Sequence, residues 1–121
     1  MLSHIMTYIG GCNYIIGDGR GHGDRNSNKL ILESCEYRRH FLEYDPEYVV
    51  ITNIEMDHTD YYKSMDDMIL AYEEFANKAD KMIIACGDDP YTHMLEVNPQ
   101  IYYYGLKEDN DIQARNVEYR N

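Results

Sequence analysis

The segment YVVITNIEMDHTDYY, positions 48–62, couples an apolar run to a cluster of ionisable residues. The run has the composition of a buried strand, and the cluster behind it contains Glu55, Asp57, His58 and Asp60. Open α/β sheets bind their ligands where strands end. An imidazole among carboxylates at such an end could hold a divalent cation. Alternatively, His58 caps the strand end and pairs with Asp57 or Asp60.

A second acidic residue at a strand end is Glu33, in the apolar run KLILESC at 29–35. If this strand and the strand at 48–54 are parallel neighbours, Glu33 and His58 emerge at the same carboxyl edge of the sheet. The intervening segment is long enough for a crossover connection. The pair could therefore hold a divalent cation, and the alternative that His58 only caps the strand end stays open. Mg²⁺ prefers oxygen ligands, whereas histidine suits Mn²⁺ or Zn²⁺ better.

Two glycine-containing motifs are weaker evidence for binding an anion or a metal ion. The segment IGDGRGHGDRNSN at 16–28 can form N–H nests for anions, but it matches no standard phosphate-binding motif and favours a flexible connection between strands. The segment ACGDDPY at 85–91 ends a strand in Asp88 and Asp89, and Asp88 could reach a metal-bound water. Asp89 before Pro90 is more typical of a helix cap.

Two arginines and three cysteines could also bind ligands, and each group has a simpler structural interpretation. Arg38 and Arg39 could clamp a carboxylate or phosphate, but their positions favour the solvated first turn of a crossover helix, with Phe41 and Leu42 packing beneath. The cysteines have no zinc-ligand spacing, and we predict that they are reduced thiols: Cys12, Cys35 and Cys86.

The elements that position these residues alternate between strands and helices. Five apolar runs predict strands at 13–18, 29–35, 48–54, 81–87 and 100–106. Their near-continuous apolar character predicts burial on both faces, as in a parallel sheet. Helices are predicted at 64–79 and over a short stretch after Pro90. In the first of these, Ser64 and Asp67 form a capping pattern, and one apolar face is predicted to contain Met65, Met68, Ile69, Tyr72, Phe75, Ala76 and Ala79. An amphipathic helix at 1–9 and an edge strand at 111–120 complete an α/β class with a mostly parallel sheet flanked by helices.

Composition narrows the class of function. The 121 residues fit one domain, and a net charge of −11 argues against nucleic acid and anionic membrane surfaces as partners. No apolar run is long enough for a membrane span, and no signal-peptide pattern is present, which predicts a cytoplasmic protein.

Several motifs together resemble one known family. The longest motif is ILESCEYRRHFLEYDPEYVVITNIEMDHTDYY, and a predicted helix and the motif IIACGDDP follow it. The motif IGDGRGHG precedes it, and the residues at 101–117 contain IYYYG and DIQARNV. This combination is similar to the central ATP-binding domain of the Mur ligases, a truncated P-loop-type α/β domain here spanning 1–121. The resemblance implies a ligase that activates a carboxylate with ATP as an acyl phosphate and then admits an amine.

The resemblance also implies roles for individual residues. Glu33 and His58 would be the catalytic residues that hold Mg²⁺, and Thr52 and Asn53 would line the acyl-substrate side of the bound nucleotide. No lysine of ILAYEEFANK stands where some members carry a carbamylated lysine, which favours the branch that joins L-alanine to UDP-N-acetylmuramate.

Two alternatives remain open. They are the ligase that recycles tripeptide onto UDP-N-acetylmuramate and a non-catalytic α/β binding module. The family's phosphate loop and flanking domains are expected outside this sequence, so we expect the chain to be inactive alone and to associate with itself as a homo-oligomer.

Overall fold

The computed structural model describes residues 1–118 and divides into two compact units, Met1–Cys35 and Glu36–Asn121. Each unit has its own β-sheet. All five predicted strands are present in shortened form, because ladder hydrogen bonds form only where the backbone finds a partner strand. The structure adds one strand that the sequence did not predict.

The first unit contains a helix and a three-stranded sheet. Helix α1 and strands β1, β2 and β3 are Leu2–Gly10, Asn13–Ile15, Gly21–His22 and Leu30–Leu32. Strand β1 lies in the centre, antiparallel to β2 and parallel to β3. The unpredicted strand is β2, which pairs back onto β1 through a turn at Gly19, where φ is 88°. Segment 16–28, predicted as a flexible connection, therefore contains a hairpin strand.

The second unit contains a four-stranded sheet in which every neighbouring pair is parallel. Strands β4 to β7 lie side by side in chain order and are Tyr48–Ile51, Met82–Cys86, Gln100–Gly105 and Ile112–Gln113. Helix α2, Met65–Ala76, connects β4 to β5. The α/β class with a parallel sheet is confirmed. Residues 119–120 of the predicted edge strand lie outside the described residues.

Two predicted helices of the second unit take the tighter 3₁₀ form. The crossover segment is a 3₁₀ helix at Tyr37–Glu43 with a kink at Arg38 and Arg39, and the helix after Pro90 is a single 3₁₀ turn at Thr92–Met94. Short 3₁₀ pieces are common connectors. The predicted crossover between neighbouring parallel strands is wrong, because β3 and β4 belong to different sheets, and the segment between them contains a 3₁₀ helix in place of a regular α-helix.

Helix α2 begins where its capping pattern predicts. The Ser64 hydroxyl oxygen accepts a hydrogen bond from the Asp67 backbone N–H at 3.1 Å. Its predicted apolar face is buried in the core at Met68, Ile69, Phe75 and Ala76. The cap and the apolar period of this helix are confirmed.

Replacing Ser64 by alanine should remove this cap and lower the free energy of unfolding by about 1 kcal/mol. The Ser64→Gly variant should lose much less stability, because glycine also serves as an N-cap. Urea unfolding of both variants measures the difference. Equal stability of the alanine variant and the wild type would contradict a stabilising cap.

The core of the second unit lies on one face of its sheet. Val49 and Ile51 of β4 and Ile83 and Ala85 of β5 are buried together with α2, whereas the residues between them are partly or fully exposed. The prediction that these strands are buried on both faces is wrong for the described residues. Among the described residues, α2 and Phe41 of the 3₁₀ segment belong to the core on this one face, so burial follows the period of two that is typical of a half-covered strand.

Candidate functional site

The loop at 52–62 leaves the carboxyl end of β4 and is held there by Asp89. One carboxylate oxygen of Asp89 accepts a hydrogen bond from Ile54 N–H at 2.6 Å, and the other accepts from Tyr91 N–H at 2.9 Å. The predicted cap is thus a hydrogen bond to the turn before the 3₁₀ helix, rather than to the helix itself. Asp89 also fixes the start of the loop that carries His58, which the sequence did not predict.

Thr52 and Asn53 follow β4 directly and are exposed. The Thr52 hydroxyl lies 3.1 Å from the Asn53 side-chain oxygen and donates to it. Their polar groups are therefore accessible at the carboxyl end of the strand. Their role beside an acyl substrate remains a prediction.

The backbone at His58 is in the left-handed region, with φ of 50°. Its N–H donates to the Asp57 carboxylate at 2.6 Å, and its carbonyl oxygen accepts from the N–H groups of Tyr61 and Tyr62 at 2.8 and 2.9 Å. A non-glycine residue in this region stores conformational strain that the surroundings must maintain. These three hydrogen bonds hold the His58 backbone in that conformation.

The imidazole of His58 has Glu36 as its principal partner. His58 Nε2 lies 3.0 Å from Glu36 Oε1 and 3.9 Å from Asp57 Oδ2, and the two side chains of the closer pair are 31% and 24% exposed. The sequence offered Asp57 or Asp60 as the partner. The nearer carboxylate is 22 residues earlier in the chain, and no spacing pattern indicates it.

A buried tyrosine positions Glu36. The Tyr62 hydroxyl donates to the Glu36 carbonyl oxygen at 2.6 Å, and Tyr62 is completely buried. Burial raises the pKa of Tyr62 to about 12, so its hydroxyl remains a donor throughout the physiological range. Tyr62 thereby joins the segment that carries Glu36 to the loop that carries His58.

Asp60, the other partner considered for His58, pairs instead with Tyr37. The Tyr37 hydroxyl donates to Asp60 at 2.7 Å, and this hydrogen bond lowers the pKa of Asp60 below its ordinary value of 3.8. The Tyr37 ring also lies 4.6 Å from the His58 ring, between centroids. His58 is therefore next to an aromatic ring and, at Nε2, to the carboxylates of Glu36 and Asp57.

The donors around His58 include two that could bind one divalent cation. His58 Nε2 and Glu36 Oε1 are 3.0 Å apart, which is an ordinary hydrogen-bond distance and is also about the separation of two ligands at right angles, each about 2.1 Å from an octahedral ion. One nitrogen and nearby carboxylate oxygens form a mixed donor set that Mn²⁺ and Zn²⁺ accept readily and Mg²⁺ accepts with water completing its shell.

Glu33 belongs to the first unit, directly after β3. Its N–H donates to the Ile15 carbonyl at 3.0 Å, and its carboxylate accepts from Gly17 N–H at 3.0 Å. The expectation that β3 and β4 are neighbours is wrong, because β3 pairs with β1 and β4 pairs with β5 in a separate sheet. Within its own unit, His58 contacts Glu36, and the joint role of Glu33 and His58 at a metal ion remains a prediction.

Asp88 has a structural role in the second unit. Its two carboxylate oxygens accept from Leu106 N–H at 2.7 Å and Lys107 N–H at 3.1 Å, and one also accepts from the Asn110 amide at 3.0 Å. The two backbone hydrogen bonds are the main reason that the pKa of Asp88 lies below its ordinary value. These contacts occupy the carboxylate that the sequence offered as a partner for a metal-bound water.

The hydrogen bonds of Asp88 predict a pH dependence of stability. Because its folded-state pKa is lowered, this carboxylate stabilises the fold above its ordinary pKa of 3.8, and the stabilisation is lost as the pH falls below that value. We expect Asp88→Asn to be less stable than the wild type at about pH 6 and to lose less stability as the pH falls through the acid range. Parallel pH profiles for the two proteins would contradict this role.

Arg38 and Arg39 differ in their surroundings. Arg38 is exposed, as predicted, whereas Arg39 is partly buried and pairs with Asp67 at 3.3 Å and Glu74 at 2.6 Å. The prediction of a solvated position is therefore wrong for Arg39, which attaches the 3₁₀ segment to helix α2. Beneath them Phe41 is buried and Leu42 is partly buried, as predicted.

Two further observations concern the cysteines and the helices of the described residues. The three cysteine thiols are free, in agreement with the absence of a disulfide framework. Within residues 1–118, no helix combines the length and the apolar character that crossing a membrane requires.

The chain matches the Mur ligase middle domain over residues 22–121. The matched region includes β4, the Glu36–His58 pair and the parallel sheet of the second unit. The chain belongs to the Mur ligase family, whose members are ATP-dependent carbon–nitrogen ligases of peptidoglycan synthesis.

Proposed function

We propose that the enzyme containing this chain joins L-alanine to UDP-N-acetylmuramate, with ATP as co-substrate and an acyl phosphate as intermediate. The observation that supports it is the family match over 22–121 together with the histidine–carboxylate cluster at the end of β4. In this proposal, residues 1–121 are part of the central domain that binds ATP and Mg²⁺.

Each candidate residue has a role in this proposal. Glu33 and His58 are the Mg²⁺ ligands in this proposal, and Glu36, whose Oε1 lies 3.0 Å from His58 Nε2, would be a further carboxylate ligand beside them. Bound there, the cation would neutralise phosphate charge in an acidic site and favour transfer of the phosphoryl group. Thr52 and Asn53 present exposed hydroxyl and amide groups to the acyl substrate.

The surroundings of helix α2 favour the alanine-adding branch. Family members with a carbamylated lysine carry it in the helix after the histidine, and α2 contains no lysine. The lysine just beyond the helix, Lys78, is used structurally: its ammonium group donates to the Leu42 carbonyl at 2.7 Å and pairs with Asp45 at 2.9 Å. In this proposal, therefore, neither α2 nor Lys78 supplies a carbamylated lysine to the reaction.

The proposal is tested by product formation. The enzyme is incubated with ATP, Mg²⁺, UDP-N-acetylmuramate and L-alanine, and UDP-N-acetylmuramoyl-L-alanine is quantified by mass spectrometry. We expect product from the wild type and a loss of roughly a hundredfold or more in Glu33→Gln, because a metal ligand is removed. Glu108→Gln, which neutralises an exposed acid in the loop after β6, is the matched control and should retain activity.

The other outcomes separate the alternatives. Product from the tripeptide but not from L-alanine would identify the recycling ligase. A folded wild type that forms no product and hydrolyses no ATP with either amine would overturn the ligase proposal in favour of a binding module.

A further inference from the structure

Arg38 occupies an unusual backbone conformation beside His58. Its φ and ψ are 51° and 27°, and Arg39 follows at φ of 59°. Residues with a Cβ are conformationally disfavoured in this left-handed region. The kink places the Arg38 guanidinium 5.3 Å from the centre of the Tyr37 ring, and that ring lies 4.6 Å from His58. Arg38, Tyr37 and His58 thus form a continuous series of contacts at the candidate site.

The charge of Arg38 has no carboxylate partner among the described residues of its own unit. Arg39 next to it makes two ion pairs, but no carboxylate oxygen within residues 36–118 lies within ion-pair distance of Arg38. This contrast occurs in a chain with 22 acidic residues against 11 lysines and arginines. The defined contact of Arg38 is the face of the Tyr37 ring, which leaves the N–H edge of the guanidinium available.

We propose that Arg38 binds an oxyanion of the substrate, either the carboxylate of the acyl substrate or the phosphoryl group transferred to it. The proposal rests on the ligase function proposed above and adds a substrate-binding residue to it. A planar guanidinium presents two parallel N–H donors to such a group, which an ammonium cannot do. The Tyr37 ring contacts the guanidinium from one side, at 5.3 Å from the ring centre, so this arrangement favours one orientation of the side chain before binding.

The acidic side chains around the site explain why binding an anion there needs a positively charged side chain such as Arg38. Glu36, Asp57 and Asp60 surround His58 and would repel an approaching anion. Arg38 lies against the Tyr37 ring, and the Tyr37 hydroxyl donates to Asp60, so the Arg38 charge is close to this acidic group. Arg38 therefore offsets part of the acidic field where a carboxylate or phosphoryl group has to enter.

Anion binding is measured directly on the folded protein by NMR. The ¹⁵N-labelled chain is titrated with sodium acetate and, separately, with inorganic phosphate at constant ionic strength, and the arginine Nε–Hε resonances are followed. We expect one arginine signal to shift and saturate, to be absent from Arg38→Gln and to be unchanged in Arg115→Gln. Arg115 is an exposed arginine that contacts Gln113, and it serves as the matched control. A titration in which no arginine signal saturates, or in which Arg38→Gln responds like the wild type, overturns the proposal.

Steady-state kinetics identify the source of the oxyanion. We expect Arg38→Gln to raise the KM of one substrate by about tenfold to a hundredfold, as loss of a charged hydrogen bond predicts. A rise for UDP-N-acetylmuramate, with an acetate response, assigns the carboxylate. A rise for ATP, with a phosphate response, assigns the phosphoryl group. Unchanged KM values for both substrates in an active enzyme overturn the proposal.

Two further variants separate binding from folding. Arg38→Gly removes the side chain and also relieves the strained backbone, so its Tm should not fall while the KM rises. Arg38→Lys should recover only part of the affinity, because it restores charge without the two-pronged geometry. If the wild type forms no product, the ligase proposal fails, and the NMR titration still decides whether Arg38 binds an oxyanion.

Discussion

Replacing His58 by asparagine should lower turnover of the ligase by roughly two to four orders of magnitude, while the protein remains folded. The imidazole is the group in this loop that both faces Glu36 and has the donor character for a divalent cation. Removing a ligand that supports several kcal/mol of charge stabilisation costs about tenfold in rate for every 1.4 kcal/mol. Initial rates of product formation at saturating ATP measure the effect.

The choice of substitution protects this test from a folding artefact. Asparagine tolerates positive φ better than other non-glycine residues, and His58 has φ of 50°. His58→Gly accommodates the same backbone without any side chain and should be equally inactive. His40→Asn, at an exposed position of the 3₁₀ segment, is the matched control. Full activity in both His58 variants would exclude an essential role for the imidazole.

Replacing Phe41 by alanine should lower the free energy of unfolding by about 3–5 kcal/mol. Phe41 is 2% exposed, and its ring stacks on Phe75 at 4.6 Å and meets Tyr72 edge-on at 5.5 Å between centroids. The variant leaves a cavity between the 3₁₀ segment and helix α2, which the kinked segment cannot close. Urea unfolding followed by circular dichroism measures the loss.

Two controls show whether the effect comes from packing. Phe41→Leu preserves most of the buried volume and should lose much less stability than the alanine variant. Leu70→Ala removes an apolar side chain that is 55% exposed on helix α2, and its effect should be small. Similar losses for Phe41→Ala and Leu70→Ala would contradict the central position of Phe41 in this core.

The elements of this protein that could be predicted are those determined by neighbouring residues. The apolar runs at 48–54 and 81–87 became β4 and β5. The Ser64 cap and the apolar period behind it defined the start and the buried face of α2. Such patterns act within a few residues, because a cap or a helical face needs only one or two turns of chain.

The pairing of strands could not be predicted in the same way. The sequence indicated β3 and β4 as neighbours, but each found another partner, and the two strands lie in separate sheets. Hairpin strand β2 was missed because a two-residue strand between glycines carries no apolar alternation. Likewise, half-covered strands were predicted as fully buried, since composition does not tell how many helices pack on a sheet.

The sequence by itself determined that this is an α/β protein, that His58 follows a strand and that acidic residues are close to it in the chain. Only the tertiary structure decided that Glu36 is the partner of His58, that Arg39 is committed to ion pairs and that Arg38, within residues 36–118, contacts Tyr37 in place of a carboxylate. The physical reason is the range of the interactions. Local hydrogen bonds and side-chain periodicity are encoded within a few residues, whereas the partners of a charged side chain depend on segments that are brought together only when the chain folds.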